Sequence, residues 1–109
     1  MKKLALLLTP LAAMLVAASQ PQTFTGVITD TMCGADHSMM HVTPLDKCVR
    51  ECVRMNPAKF KYALYDGKNV YTLSDQKTPE AFAARKVKVT GTLNAQAKLI
   101  QVTKIEAAE

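Results

Sequence analysis

Apolar and polar positions change their period several times along the chain, and each change marks an element. Leu4 to Ala18 is apolar apart from Thr9 and Pro10, with no periodicity at all. Thr23 to Asp30 (TFTGVITD) then alternates and is rich in β-branched residues, which predicts a strand with Gly26 as a bulge or a point of close approach. A helical period follows. Leu45, Cys48, Val49 and Cys52 fall at i, i+3, i+4 and i+7, while Asp46, Lys47, Arg50, Glu51 and Arg54 fall on the other side. Thr43 suits the N-cap of this helix and Pro44 its first position, with Asp46 facing the helix dipole. Asn56-Pro57 ends it, because the residue before a proline avoids helical angles.

The second half returns to alternation. Lys61–Tyr65 and Asn69–Ser74 flank Asp66-Gly67, a hairpin signal. Thr78-Pro79-Glu80 repeats the cap-then-proline start and predicts a short helix through about Ala84. Lys86 to Leu93 places Val87, Val89 and Leu93 on one face, with Lys86, Lys88, Thr90 and Thr92 on the other. After a turn at residues 94–97, the strand from Leu99 to Ile105 has Ile100 and Val102 in parity and Ile105 out of it. A bulge near Thr103 is therefore expected. Strand, loop and helix, hairpin, short helix and two strands together predict a mainly β domain. The expected fold is a small five-stranded OB-like barrel, with one short helix after strand 1 and another before strand 4. A strongly bent two-layer sheet is the alternative.

Composition alters this picture at the N-terminus. Met1-Lys2-Lys3, the apolar run and the small residues Val16-Ala17-Ala18-Ser19 describe a cleavable secretory signal over residues 1–18. The run is too short for a membrane span, which needs roughly 20 apolar residues. The expectation is an exported protein, periplasmic or secreted, with no membrane span after cleavage. Residues 19–22 are expected as a disordered lead-in, and 23–106 as the β-domain. Losing Lys2 and Lys3 lowers the formal charge from +5 to +3. What remains is scattered, so no nucleic-acid surface is expected, and the chain reads as a monomer whose partner is an unknown protein or small ligand. A mature chain of about 90 residues has limited core area, and a staple or a metal would help it.

Candidate chemistry is concentrated in one stretch. Every cysteine and histidine lies between Cys33 and Cys52, and Met32, Cys33, His37, Met39, Met40 and His41 crowd ten consecutive positions. Cys33-x3-His37 sits in a loop that Gly34 is expected to keep flexible. Cys48 and Cys52 project from adjacent turns of the helix, where Cβ atoms at i, i+4 are roughly 5–6 Å apart. With Cys33 and either His37 or His41 they make a three-Cys, one-His set, a common structural zinc arrangement. The thioethers of Met32, Met39 and Met40 favour Cu(I), so Zn and Cu both stay open.

Gly26-Val27-Ile28-Thr29-Asp30-Thr31-Met32-Cys33-Gly34, with His37 and Cys48-x3-Cys52, resembles a family of small exported bacterial domains of unknown function. Tyr62-Ala63-Leu64-Tyr65-Asp66-Gly67 and Val87-Lys88-Val89-Thr90-Gly91 are similar to the same family, and to periplasmic OB-fold proteins more generally. The resemblance covers nearly the whole mature chain. It implies an exported OB-like barrel and carries no activity with it.

Other readings stand beside the metal site. An oxidising compartment favours one disulfide, Cys33 with Cys48 or Cys52, plus a free thiol, on a non-catalytic binding or scaffold module. Closing that loop would stabilise by roughly 3 kcal/mol in the chain-entropy model. The helix cysteines also suit plain core packing. A thiol redox protein is a lesser alternative, with Cys33 near His37 and a resolving cysteine on the helix. Without Cys-x-x-Cys-His, covalent haem is not expected, and no catalytic constellation emerges: Asp36 reads as a turn residue, and Ser38 and Ser74 lack base partners. Tyr62, Tyr65 and Tyr71 offer a stacking face for a ligand, although tyrosines on adjacent strands more often pack on each other.

Overall fold

The computed structural model describes residues 20–36 and 44–108. Five strands, β1 (Gln22–Asp30), β2 (Tyr62–Tyr65), β3 (Val70–Leu73), β4 (Lys86–Asn94) and β5 (Leu99–Ala107), close into a barrel in the order β1-β2-β3-β5-β4. All neighbours are antiparallel except β3 and β5, which pair in parallel through Thr72–Leu99 and Leu73–Ile100. This is the OB-like barrel that the alternation predicts. Among the described residues, helix α1 (Leu45–Met55) lies between β1 and β2, and a 3-10 turn over Thr78–Phe82 precedes β4.

Inward residues of each strand meet in one core. Ile28, Leu64, Leu73, Val87, Val89 and Ile100 are fully buried, and Val49 and Val53 of α1 join them. At roughly 1.5–3 kcal/mol for each large aliphatic side chain removed from water, this cluster is the main force closing the barrel. Gly26 is a close-approach point without a bulge: its pairing with β4 runs unbroken, and a Cβ there would collide with the Tyr65 carbonyl oxygen. The expected bulge is in β5. Thr90 pairs with Lys104 and Gly91 with Val102, so Thr103 is the extra residue that restores Ile105 to the core side.

Details of the turns depart from expectation. In the β2–β3 hairpin, Asp66 accepts the N–H groups of Lys68 and Asn69 at 2.8 and 2.7 Å, and Gly67 takes φ +100°. The 3-10 turn stops at Phe82 rather than running to Ala84. Its start is held by Asp75, whose Oδ1 accepts from Lys77 and Thr78, and not by the Thr78 hydroxyl. Helix α1 begins one residue later than predicted, with Pro44 extended at the cap (ψ 170°); the expected cap, Thr43, lies outside the described residues. Leu45 does not continue the buried stripe. It is half-exposed at the rim of a cavity of about 160 Å³ beside Val27 and Tyr65, and Val53 takes the fourth buried position instead.

Two polar devices seat α1 and the 3-10 turn on the barrel. Arg54 pairs with the Glu80 carboxylate at 2.8 Å, and Arg50 donates to the Glu80 carbonyl at 3.0 Å while holding Asp46 at 2.7 Å. Gln76 behaves like a short piece of strand. Its Oε1 accepts from Tyr62 N–H at 2.8 Å, and its Nε2 donates to the carbonyls of Tyr62 and Leu73 at 2.9 and 2.8 Å.

Candidate metal centre

The end of β1 and the inward face of α1 meet at a cluster of two thiols and a carboxylate. Inward parity along β1 puts Gly26, Ile28 and Asp30 on the core side, so Asp30 is fully buried where the strand stops. Its Oδ1 accepts the backbone N–H groups of Met32 and Cys33, both at 2.9 Å, which folds the next residues back over the barrel end. Gly34 N–H donates to the Asp30 carbonyl at 2.9 Å, and the Thr29 hydroxyl donates to the Gly34 carbonyl at 2.6 Å. Gly34 at φ +62° is thus part of a tight turn, and not the flexible loop expected from sequence. Cys33 is held by backbone bonds on either side.

From α1, Cys52 projects to the same place. Its Sγ lies 4.0 Å from that of Cys33, too far for a disulfide bond between them. Donor atoms of Asp30, Cys33 and Cys52 all fall within 4.8 Å of one another, a group that can hold a metal ion. Two thiolates on one tetrahedral zinc ion stand about 3.8 Å apart, given Zn–S bonds near 2.3 Å. The observed separation is close to that edge.

Electrostatics here are those of two thiols crowded against a buried carboxylate. Burial pushes the Cys33 thiol up from its ordinary value, and the Asp30 carboxylate adds to the shift. Cys52 is pushed up further, first by burial and then by Asp30 and Cys33. Without a cation nearby, both thiols hold their protons at neutral pH. A divalent ion reverses this balance, because coordinated thiols ionise.

Of the residues singled out by sequence, Cys33 and Cys52 come together. Cys48 is fully buried one turn earlier on α1 and acts electrostatically on both, without joining the group that includes Asp30. Met32 is in the turn and about 40% exposed. His37, Met39, Met40 and His41 lie outside the described residues. The tyrosines serve packing to different degrees: Tyr62 is buried, and Tyr71 meets the Phe24 ring at 6.1 Å between centroids. Asp30 was not singled out by sequence reasoning, although a signal was present. A carboxylate on the inward parity of an otherwise apolar strand is costly unless it is paired or bound.

No family model, curated protein or solved structure matches the chain. Among the described residues no helix is long and apolar enough to cross a membrane.

Proposed function

We propose that this chain is an exported metal-binding domain that holds one zinc ion between the end of β1 and helix α1. The observation that carries the reading is the Cys33–Cys52 sulfur separation of 4.0 Å, with the buried Asp30 carboxylate in the same group. Two thiolates and a carboxylate supply three negative charges, suiting a borderline dication, whereas Cu(I) prefers an all-sulfur set. For the fourth ligand we propose His37. It follows Asp36 directly and stands four residues from Cys33, within about 14 Å of extended chain. The apolar run of residues 4–18 behind two lysines supports export, and the barrel acts as the rigid base of the site.

The test is metal binding by the reduced mature protein. One zinc or cobalt per chain is expected, with a sulfur-to-cobalt charge-transfer band in the cobalt form. Cys33→Ser and Cys52→Ser abolish that band, His37→Ala weakens affinity sharply, and Cys48→Ser leaves the stoichiometry at one. Unchanged metal content in Cys33→Ser would sink the reading.

A further inference from the structure

Cys33 and Cys52 belong to different elements, 19 residues apart in sequence, and their sulfurs are already in contact at 4.0 Å. A disulfide needs S–S of about 2.05 Å, so closing the pair takes roughly 2 Å of combined sulfur movement. Cys48 is poorly placed to compete for Cys52. Both are on α1 four residues apart, and helical Cβ atoms at that spacing stay roughly 5–6 Å apart, beyond the usual disulfide range. Accessibility separates the reacting sulfurs as well: Cys33 is partly exposed, whereas Cys52 is 1% exposed and Cys48 fully buried.

We propose that a metal ion and a Cys33–Cys52 disulfide are mutually exclusive states of this junction, so that oxidation by a small disulfide compound expels the ion. The inference rests on the metal reading above and adds how the site is emptied. In the first step the Cys33 sulfur attacks one sulfur of the oxidant. A mixed disulfide forms and the first thiolate of the oxidant leaves. The Cys52 sulfur then attacks Cys33 Sγ, closing the internal bond and releasing the second thiolate. Two electrons pass from the two cysteine sulfurs to the oxidant; in the zinc-free protein each cysteine gives up its proton to water as it attacks, and the two departing thiolates take up two protons. Both metal–sulfur bonds are lost, since a disulfide sulfur carries no charge and is a weak donor. Asp30 is then the sole charged donor remaining of the group, too little to retain a dication. Conversely, a bound ion occupies the sulfur electron pairs that would attack and keeps the two sulfurs at the separation of a tetrahedral edge.

The experiment treats zinc-loaded and zinc-free protein with oxidised glutathione, follows released zinc with a chromogenic chelator and maps disulfides by peptide mass spectrometry. Zinc-free protein should form the Cys33–Cys52 bond and leave Cys48 open to alkylation. Loaded protein should react at least tenfold more slowly and release one zinc per bond formed. Cys48→Ser should behave like the parent chain, and Cys33→Ser should form no internal bond. A dominant bond to Cys48, a failure of zinc-free protein to oxidise, or zinc retained after the bond closes would each overturn the proposal. Zinc binding by the reduced chain is measured first, so the two failures are distinct. No binding defeats the metal reading and the exclusion together, while binding followed by retention in the oxidised form defeats the exclusion alone.

Discussion

At the scale of single residues, Asp30 organises the site twice over. Its Oδ1 shapes the turn that carries Cys33, and its charge joins the two thiols. Asp30→Asn separates these roles, because an amide oxygen still accepts the Met32 and Cys33 N–H groups while the charge is gone. Zinc affinity should fall by at least about tenfold, with the fold kept, as read by competition titration and circular dichroism. An unchanged affinity would remove Asp30 from the ligand set. The raised thiols give a second expectation. Cys33 and Cys52 keep their protons in the folded state to higher pH than in the unfolded chain, whose thiols ionise near about pH 8.5. The folded state therefore binds more protons above that pH, and stability, in full below it, declines as pH rises. Urea midpoints of the metal-free protein should be lower at pH 10 than at pH 7.5, and Cys52→Ala should flatten the difference.

Among the elements, the turns and the short helical segments depend on side chains that substitute for backbone. Gln76 completes hydrogen bonds that a longer β2–β3 pairing would otherwise supply, and Tyr62, its partner, is buried. Gln76→Ala leaves the Tyr62 N–H without this acceptor, which should cost about 1–3 kcal/mol and lower the thermal midpoint. A midpoint unmoved by this change would mean that water replaces the glutamine fully. The exposed Arg54–Glu80 pair is a different case. Both partners are roughly half-exposed, so it orients α1 more than it stabilises the domain. The contrast shows why the helix is seated mainly by Val49 and Val53, with Cys48 and Cys52 carried along on the same inward face.

For the whole molecule, the barrel brings the end of β1 beneath α1, and a metal at that junction would tie the helix to the strand. Binding to the folded state alone stabilises by about 2.7 kcal/mol at a free ion concentration one hundred times Kd. For a domain of this size that is a rise in Tm of about ten degrees or more, reversed by a chelator. Calorimetry with zinc and then with EDTA reads this directly, and identical transitions would count against a specific site.

The local pattern was enough to establish the strands, most of the helix stripe and the bulge at Thr103, because each depends on parity, while it left Gly26 as either a bulge or a close approach. It also pointed to the segment from Cys33 to Cys52, two of whose thiols the structure groups with Asp30 just before it. It could not distinguish Cys48 from Cys52, since both share the apolar stripe and differ only in which one turns toward the end of β1. Nor did spacing point to Asp30, which bonds the backbone of Met32 and Cys33 just after it but meets Cys52 only through a helix that starts 15 residues on. The half-exposure of Leu45 escaped for the same reason, whereas the Asp75 cap of the 3-10 turn is a local contact, two and three residues long, that the Thr78-Pro79 pattern masked. Period and propensity act within a few residues and are written along the chain. Which thiol meets which carboxylate is decided by how the barrel closes, and that closure is set by long-range packing of Ile28, Leu64, Val87 and Ile100.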